Sequence, residues 1–453
     1  MTEVASQDLL LKNGTVWTVG GPRACDVSVR GGRIHALLPR GEGSAADVID
    51  CTGLDILPGL IDTQVHFREP GLEYKEDLES GSRAAAVGGV TAVFEMPNTK
   101  PLTDTAEALR DKLARARGRM WTEHAFYVGA TAANASRLDE LEKIPGCAGV
   151  KIFMGASTGD LLVSDDATLL QVLKSGRRRV AIHAEDEMRM QERRDLRVEG
   201  DPSSHPVWRD DESALKATKR AIAAARAARR MVHILHVTTP AELEYLRDHK
   251  DIASCEVTPQ HLTLRGEDAY PRLGTLAQMN PPIRSGAHVD GLWRWLAQGV
   301  PDVLGSDHAP HTLEEKAVPY PGSPSGMPGV QTIVPLMLDH VANGRMTMER
   351  LIDMMAYGPV RLFGLVGKGR IAAGFDADFT IVDTKRRFEI TEKWLQSRAG
   401  WSPYTGMTLS GWPMGTIVRG HVVMWDGELR GSPLGAPLRF QDVEGGVDIG
   451  RHA

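Results

Sequence analysis

The sequence has little of what marks secreted or membrane-spanning proteins. Its four cysteines are scattered over 453 residues without a CxxC pair, which argues against a disulfide scaffold. No run of about 18 apolar residues occurs. The N-terminus, MTEVASQDLL, has early acidic residues and no long apolar run, so a signal peptide is not expected. We therefore expect a cytoplasmic protein with no membrane contact.

An excess of basic charge is also absent. Acidic residues number 59 and basic residues 53, a formal charge of −6, whereas a general nucleic-acid binder needs a basic face. This balance still allows a local basic pocket for an anionic substrate. Apolar types make up 42% and charged types 25%, as in ordinary soluble domains. Neither GxGxxG nor GxxxxGK[ST] occurs, which argues against a nucleotide-binding sheet.

The two ends of the chain resemble each other and differ from the middle. Residues 1–58 and 362–453 alternate apolar and polar residues in short stretches punctuated by turn signals, which predicts strands. Residues 59–361 instead alternate short apolar runs with helical stretches, of which Glu212–Arg230 is the clearest. Eight runs could be buried parallel strands: Leu60–His66, Val90–Met96, His124–Gly129, Gly149–Met154, Val180–His183, Val232–Val237, Ile252–Val257 and Val303–Ser306.

This organisation predicts an α/β protein: a (β/α)₈ TIM-type barrel with a small β-sandwich domain formed from both termini. An open doubly wound sheet is the alternative. The long charged segment from residue 187 to residue 211 is expected to be a solvated surface excursion, with a role in oligomer contact or site access left open.

Polar residues lie within or just after five of the predicted strands. In a barrel such positions converge at the C-terminal face, where active sites lie. One buried histidine alone is more often a hydrogen-bonded core residue, but five strands with the same placement favour a site. Imidazole and carboxylate ligands suit Zn²⁺ or a similar divalent ion. The residues are His66, Lys151, His183, His236 and Asp307.

Lys151 is the most diagnostic of the five. It stands between Val150 and Ile152, and an ammonium in such apolar surroundings is costly. It could reach solvent or pair with an acid. Alternatively, burial lowers its pKa, and the neutral amine reacts with carbon dioxide to form a carbamate that bridges two metal ions. The surrounding histidines favour the carbamate.

Motifs along nearly the whole chain resemble the amidohydrolase superfamily and, within it, the class I dihydroorotases. The resemblance implies the metal-bearing barrel and the β-sandwich described above. The motifs are LPGLIDTQVHFREPG, EMPNTKP, GVKIFMG, IHAE, ILHVTT, SCEVTPQHL, MNPPIR, GSDHAPH and GRIAAGFDADFTIVD.

The resemblance also implies roles for individual residues. His66, carbamylated Lys151, His183, His236 and Asp307 correspond to metal ligands for one or two Zn²⁺ ions. Asp307 is also the catalytic residue that accepts and returns a proton. Arg68, Asn98, Asn280 and His311 correspond to substrate contacts. A guanidinium such as that of Arg68 can pair with the free carboxylate of dihydroorotate through two parallel hydrogen bonds.

One position departs from the family pattern. Family members usually carry a His-x-His pair after the first strand, and this chain has Gln64 in place of the first histidine. A glutamine offers one weak neutral oxygen instead of an imidazole nitrogen. We expect the metal position shared by His66 and Asp307 to be weakened, and at least one ion to be bound by Lys151, His183 and His236.

Three functions are compatible with these residues. The first is a dihydroorotase that interconverts dihydroorotate and N-carbamoyl-aspartate. The second is another cyclic amidase of the allantoinase or hydantoinase/dihydropyrimidinase type, against which Arg68 and Asn280 argue. The third is a non-catalytic partner of aspartate transcarbamoylase, which Gln64 favours and the five retained polar residues oppose. Homo-oligomer formation and association with aspartate transcarbamoylase are left open.

Overall fold

A computed structural model describes residues 8–156 and 161–441 of the chain. Eight parallel strands in the middle of the chain form one sheet whose spatial order follows the sequence order. These barrel strands are Leu60–Val65, Val90–Glu95, Glu123–Gly129, Cys147–Phe153, Val180–His183, Val232–Ile234, Ala253–Val257 and Val303–Leu304 (β8–β15 in chain order).

The sheet closes on itself where its last strand meets its first. Val65 at the end of β8 forms a parallel bridge with His308, just after β15. The amide of His66 donates to the carbonyl oxygen of His308 over 2.7 Å. All eight predicted strands are confirmed, with ends that differ by a few residues, and the open-sheet alternative is wrong.

Eleven further strands come from the two ends of the chain. Seven precede the barrel and four follow it: Leu9–Lys12, Thr15–Thr18, Gly21–Ala24, Asp26–Arg30, Arg33–Leu38, Asp47–Asp50 and Asp55–Pro58 (β1–β7), then Phe379–Glu389, Thr408–Val418, His421–Trp425 and Glu428–Leu429 (β16–β19).

These terminal strands form two sheets. One has the order β5-β4-β1-β6 and the other the order β19-β18-β17-β16-β7-β2-β3. The second sheet joins the two ends of the chain, because β7 pairs antiparallel with β16. Leu11 and Val27 of the first sheet share an apolar core with Ile56 and Phe379 of the second, as in a sandwich. The β-sandwich from both termini is therefore confirmed; its exact boundaries at residues 58/59 and 361/362 stay a prediction.

Helices cover the outside of the barrel, and none in the described part of the chain is long and apolar enough to cross a membrane. The helix α7 begins at Asp211, whose predecessor Asp210 accepts a capping bond from the Ser213 amide, and it ends before Arg229, whose φ is +53°. In chain order the helices are Leu78–Val87, Ala106–Ala116, Leu138–Leu141, Asp166–Lys174, Glu187–Glu192, His205–Trp208, Asp211–Ala228, Pro240–Arg247, Pro259–Thr263, Gly266–Leu273, Gly286–Ala297, Leu313–Lys316, Ile333–Ala342, Met348–Ile352 and Gly358–Phe363 (α1–α15).

Candidate active site

A cavity lies at the C-terminal ends of the barrel strands. It brings together six of the predicted site residues from strands and loops that are far apart in sequence. Its lining consists of Gln64, His66, Lys151, Phe153, His183, His236, Asn280, Asp307, Ala309, Ser325 and Gly326. This position is where enzymes with this fold place their active sites.

Three of the site residues have strained backbones. Arg68, His236 and Asp307 have φ values of +65°, +36° and +44°, a region that side chains other than glycine rarely adopt. Such strain persists only where the surrounding structure imposes it, and it concentrates at functional sites. The two strained residues that line the cavity follow β13 and β15 closely, where the chain turns away from the barrel.

Lys151 is buried in β11, and its side-chain nitrogen has no hydrogen-bond partner among the described residues. Its Nζ atom lies 4.5 Å from the centre of the Phe153 ring. Burial lowers the pKa of Lys151 to about 7, although the charges of Asp307 and Glu256 partly oppose this shift. The alternative in which Lys151 pairs with an acid is therefore wrong, since no carboxylate in the described ranges lies within 4.0 Å of its amine.

His183 and His236 lie next to each other on one side of the cavity. The Nδ1 atom of His183 lies 2.9 Å from the Nε2 atom of His236, with the two rings nearly perpendicular. Burial lowers the pKa of both imidazoles, so both are neutral near pH 7. The Nδ1 atom of His236 is buried without a partner. Neutral imidazoles with available lone pairs are the form that binds metal ions.

A buried ion pair lies behind His183. The Nε2 atom of His183 donates to Glu185, 2.9 Å away, and the guanidinium of Arg209 donates to the same carboxylate. The hydrogen on Nε2 leaves the lone pair of His183 on Nδ1, the atom that lies next to Nε2 of His236. A carboxylate behind a histidine is a common way to orient a metal ligand. Neither Glu185 nor Arg209 was predicted from the sequence as a site residue.

The burial of Arg209 and His205 also corrects the prediction that residues 187–211 form a solvated surface segment. Met188 and Val198 are exposed, as expected, but His205 and Arg209 are only 2% and 3% exposed. His205 uses Nε2 to donate to the Oδ1 atom of Asn280, 2.9 Å away. Residues of this segment therefore contact the wall of the cavity, a position that the charged composition of the segment did not indicate.

Asp307 and His66 lie on the other side of the cavity. The Nε2 atom of His66 lies 3.3 Å from the Oδ1 atom of Asp307. The side-chain amide of Gln64 donates to the same Oδ1 atom over 2.9 Å. Burial raises the pKa of Asp307 to about 6, an effect that the Lys151 charge partly offsets. On its far side, His66 contacts Asn98 through Nδ1, 2.7 Å from Oδ1.

The remaining predicted substrate contacts, Arg68 and His311, lie beside the cavity and do not line it. The Nη2 atom of Arg68 is 3.3 Å from the Nε2 atom of His311. The ammonium of Lys75 donates to Nδ1 of His311 over 3.0 Å. Burial and the Arg68 charge lower the pKa of His311 to about 3, so the ring is neutral and Nε2 carries its hydrogen.

Comparison with known proteins agrees with this geometry. The model of the amidohydrolase family matches residues 56–423. The chain belongs to the amidohydrolase family. It is 36% identical over 411 residues to the dihydroorotase of Methanothermobacter thermautotrophicus, covering 89% of this chain and 92% of that protein. It is also 35% identical to the allantoinase of Rubrobacter xylanophilus, with 97% and 99% of the two chains covered.

The fold of this amidohydrolase is shared with a solved structure. The L-hydantoinase of Arthrobacter aurescens superposes with a TM-score of 0.90 at 29% sequence identity. The superposition covers 95% of this chain and 99% of the other. A barrel with a second domain of terminal strands is therefore a common scaffold for enzymes that carry the names dihydroorotase, allantoinase and hydantoinase, and the site residues have to distinguish among these activities.

Proposed function

We propose that this amidohydrolase is a metal-dependent dihydroorotase of the cytoplasm. It hydrolyses the cyclic amide of dihydroorotate to N-carbamoyl-aspartate and closes the ring in the reverse direction, a step of pyrimidine biosynthesis. One observation carries the choice of substrate: Arg68 is a buried cation beside the cavity, and no carboxylate of the described residues pairs with it.

The environment of Arg68 supports this choice. Its side chain is 3% exposed, and within the described ranges no carboxylate lies within 4.0 Å of its guanidinium. Its Nε atom donates to the carbonyl oxygen of Pro310 over 3.2 Å. Burial lowers its pKa to about 10, so it remains a cation. An unpaired buried charge is costly, and a substrate carboxylate would compensate it.

The residues of the cavity fit a divalent metal ion. The described His, Cys, Asp and Glu side chains alone do not form a group of three that could hold an ion. A carbamate on Lys151 would add two oxygens between the two sides of the cavity, and the unpartnered amine of Lys151 is the group that could carry it. His183, His236 and modified Lys151 would hold Zn²⁺, with His66 and Asp307 opposite. Such an ion polarises a carbonyl and lowers the pKa of a water molecule.

The protein's own residues perform the remaining steps. Arg68 binds the substrate carboxylate, with Asn98 and His311 beside it. Asn280 faces the ring, oriented by the bond that it accepts from His205. Asp307 takes the proton of the attacking water and delivers it to the leaving ring nitrogen, as a general base and then a general acid. The raised pKa of Asp307 suits both roles.

A panel of ring substrates tests the proposal. The metal-loaded protein should hydrolyse dihydroorotate, and dihydrouracil, the same ring without the carboxylate, should be a poor substrate. Arg68→Gln should lower kcat/KM for dihydroorotate by about 10- to 150-fold, since a hydrogen bond to a charged group contributes about 1.5–3 kcal/mol. Arg68→Lys should recover only part of this loss, because an ammonium cannot form two parallel bonds.

The same panel contains the controls. Hydrolysis of dihydrouracil should change little in either Arg68 variant, since that ring lacks the group that Arg68 binds. Equal losses on both rings would contradict the role of Arg68. Preference for allantoin or hydantoin would instead support the second candidate. No hydrolysis of any ring, with metal bound, would support the non-catalytic partner of aspartate transcarbamoylase. Light scattering with and without that enzyme tests both association and oligomeric state.

A further inference from the structure

The two sides of the cavity differ in how many metal-binding atoms are available. On the first side, the amine of Lys151 and the Nδ1 atom of His236 have no hydrogen-bond partner. The third atom, Nδ1 of His183, carries a lone pair because Glu185 fixes the hydrogen on Nε2, and it accepts from Nε2 of His236 over 2.9 Å. The amine of Lys151 and the Nδ1 atom of His236 are buried and polar, and nothing in the described protein satisfies them. A cation would do so.

On the second side, the Asp307 carboxylate is already engaged, and Oε1 of Gln64 is the unpartnered atom of the amide within the described residues. Asp307 accepts a hydrogen bond at Oδ1 from the amide nitrogen of Gln64, 2.9 Å away. The reverse orientation of the amide would place the Gln64 oxygen against a carboxylate oxygen, two acceptors in contact. The Asp307 carboxylate therefore fixes which way the Gln64 side chain points.

This arrangement disfavours a second cation. The nitrogen lone pair of an amide is delocalised, so Nε2 of Gln64 cannot be a metal ligand. Its N–H hydrogens carry partial positive charge and point at Asp307. A cation that bound Asp307 and His66 would lie against these hydrogens or have to displace the amide. Displacement would also break a buried hydrogen bond to a charged group, which contributes about 1.5–3 kcal/mol.

We infer that Gln64 takes the place of a second metal ion: its amide holds Asp307, and the protein binds one ion, at Lys151, His183 and His236. Gln64 is a positioning residue in this scheme, because it acts through Asp307. The inference rests on the proposed metal-dependent function and goes beyond it, since a dihydroorotase could use either one ion or two.

Metal analysis of the whole protein tests this inference. The protein is saturated with Zn²⁺ in a buffer that contains bicarbonate, and it is then desalted. Mass spectrometry measures the number of metal ions bound per chain. We expect one ion. Gln64→His, which introduces an imidazole in place of the amide, should raise the content to two ions. Gln64→Ala is the matched control, because it removes the hydrogen bond without adding a ligand, and it should still bind one.

A spectroscopic readout separates one ion from two without any assay of activity. With Mn²⁺ in place of Zn²⁺, electron paramagnetic resonance should show an isolated ion in the wild-type protein and an exchange-coupled pair in Gln64→His. Circular dichroism checks that each variant is folded.

Each outcome decides between the proposals. Two tightly held ions in the wild-type protein, or a single ion in folded Gln64→His, would overturn the inference about Gln64 and leave the proposed function intact. A wild-type protein that holds no ion would overturn the metal-dependent function together with the inference.

Discussion

Two buried lysines lie at opposite ends of the barrel in opposite electrostatic surroundings. Lys151, at the C-terminal ends of the strands, has no hydrogen-bond partner at its amine. Lys368, near the N-terminal ends and the terminal sheets, lies among Glu123, Asp376 and Asp378, with Nζ–oxygen distances of 3.0 Å to Asp376 and 2.6 Å to Asp378. The side chains are similarly buried, so the difference is in their partners.

The pKa values of the two lysines move in opposite directions. Burial lowers the pKa of Lys151 to about 7. Burial acts on Lys368 in the same sense, but Asp378, Glu123 and Asp376 outweigh it and raise the pKa above its ordinary value. A paired buried cation indicates a structural role, whereas an unpaired one next to a cavity indicates chemistry. In barrels of this type the C-terminal face carries the catalytic residues, and the N-terminal face contributes to stability.

The sharpest test of this contrast is Lys151→Ala. We expect the variant to lose bound metal and to lower kcat by more than about 100-fold, because even partners behind metal ligands contribute 10–100-fold. The melting temperature of the metal-free protein should change little, since the amine satisfies no partner. Metal analysis, turnover of dihydroorotate and thermal unfolding measure these effects.

A short carboxylic acid provides the positive control for Lys151→Ala. Added propionate can enter the space left by the side chain and should restore part of the metal content and activity, since it supplies two oxygens as a carbamate would. Full metal content in Lys151→Ala without added propionate would show that Lys151 is not a metal ligand. The lack of a partner at Lys151 would then not indicate a role different from that of Lys368.

Lys368→Met tests the other end of the barrel. The substitution removes the cation that three buried carboxylates share. Glu123 and Asp376 keep arginine partners at 3.4–3.7 Å, but Asp378 loses its ion pair, so the free energy of unfolding should fall by about 3–5 kcal/mol. The midpoint of urea unfolding measures this loss. Metal content and kcat of the folded variant should stay close to wild type. Lys143→Met is the matched control: Lys143 is exposed and pairs with Asp139 on the surface, so the change should be within about 0.5 kcal/mol.

The fold was largely predictable from the sequence because its signals are local. Each of the eight barrel strands is a short apolar run, and the parallel order follows from the helices between them. The end of α7 was placed two residues late. Helical periodicity continues through Arg229, but that residue adopts a left-handed conformation, which the sequence pattern does not reveal.

From the residues alone, the site was predictable only where a polar side chain lies within or just after an apolar strand. His183 and Lys151 stand out because apolar residues surround them in the sequence. Arg209 does not, since its partner Glu185 is 24 residues away and it stands in a segment rich in charged residues. The pairing that buries Arg209 is a tertiary contact, and composition alone suggested a solvated segment. The bond from Gln64 to Asp307 spans 243 residues and was likewise beyond reach.

Glu185→Gln should have the smallest effect of the three substitutions, after Lys151→Ala and Lys368→Met. It tests whether one buried residue can both form an ion pair and assist metal binding. Glu185 is paired with Arg209, like the carboxylates around Lys368, yet it also orients His183. The substitution keeps the shape and removes the charge. Metal affinity should weaken by about 10- to 100-fold, and kcat at saturating metal should stay within a few-fold of wild type.

Competition with a chelator measures the affinity of Glu185→Gln, and urea unfolding measures its stability. The exposed Glu192→Gln is the matched control and should change neither. Unchanged affinity with lower stability would place Glu185 in the same class as the carboxylates around Lys368. Weaker metal binding would instead show that a paired buried charge can assist the active site by orienting a metal ligand. In that case the lack of a partner identifies groups such as Lys151 that bind the metal themselves, but it does not identify every residue on which the active site depends.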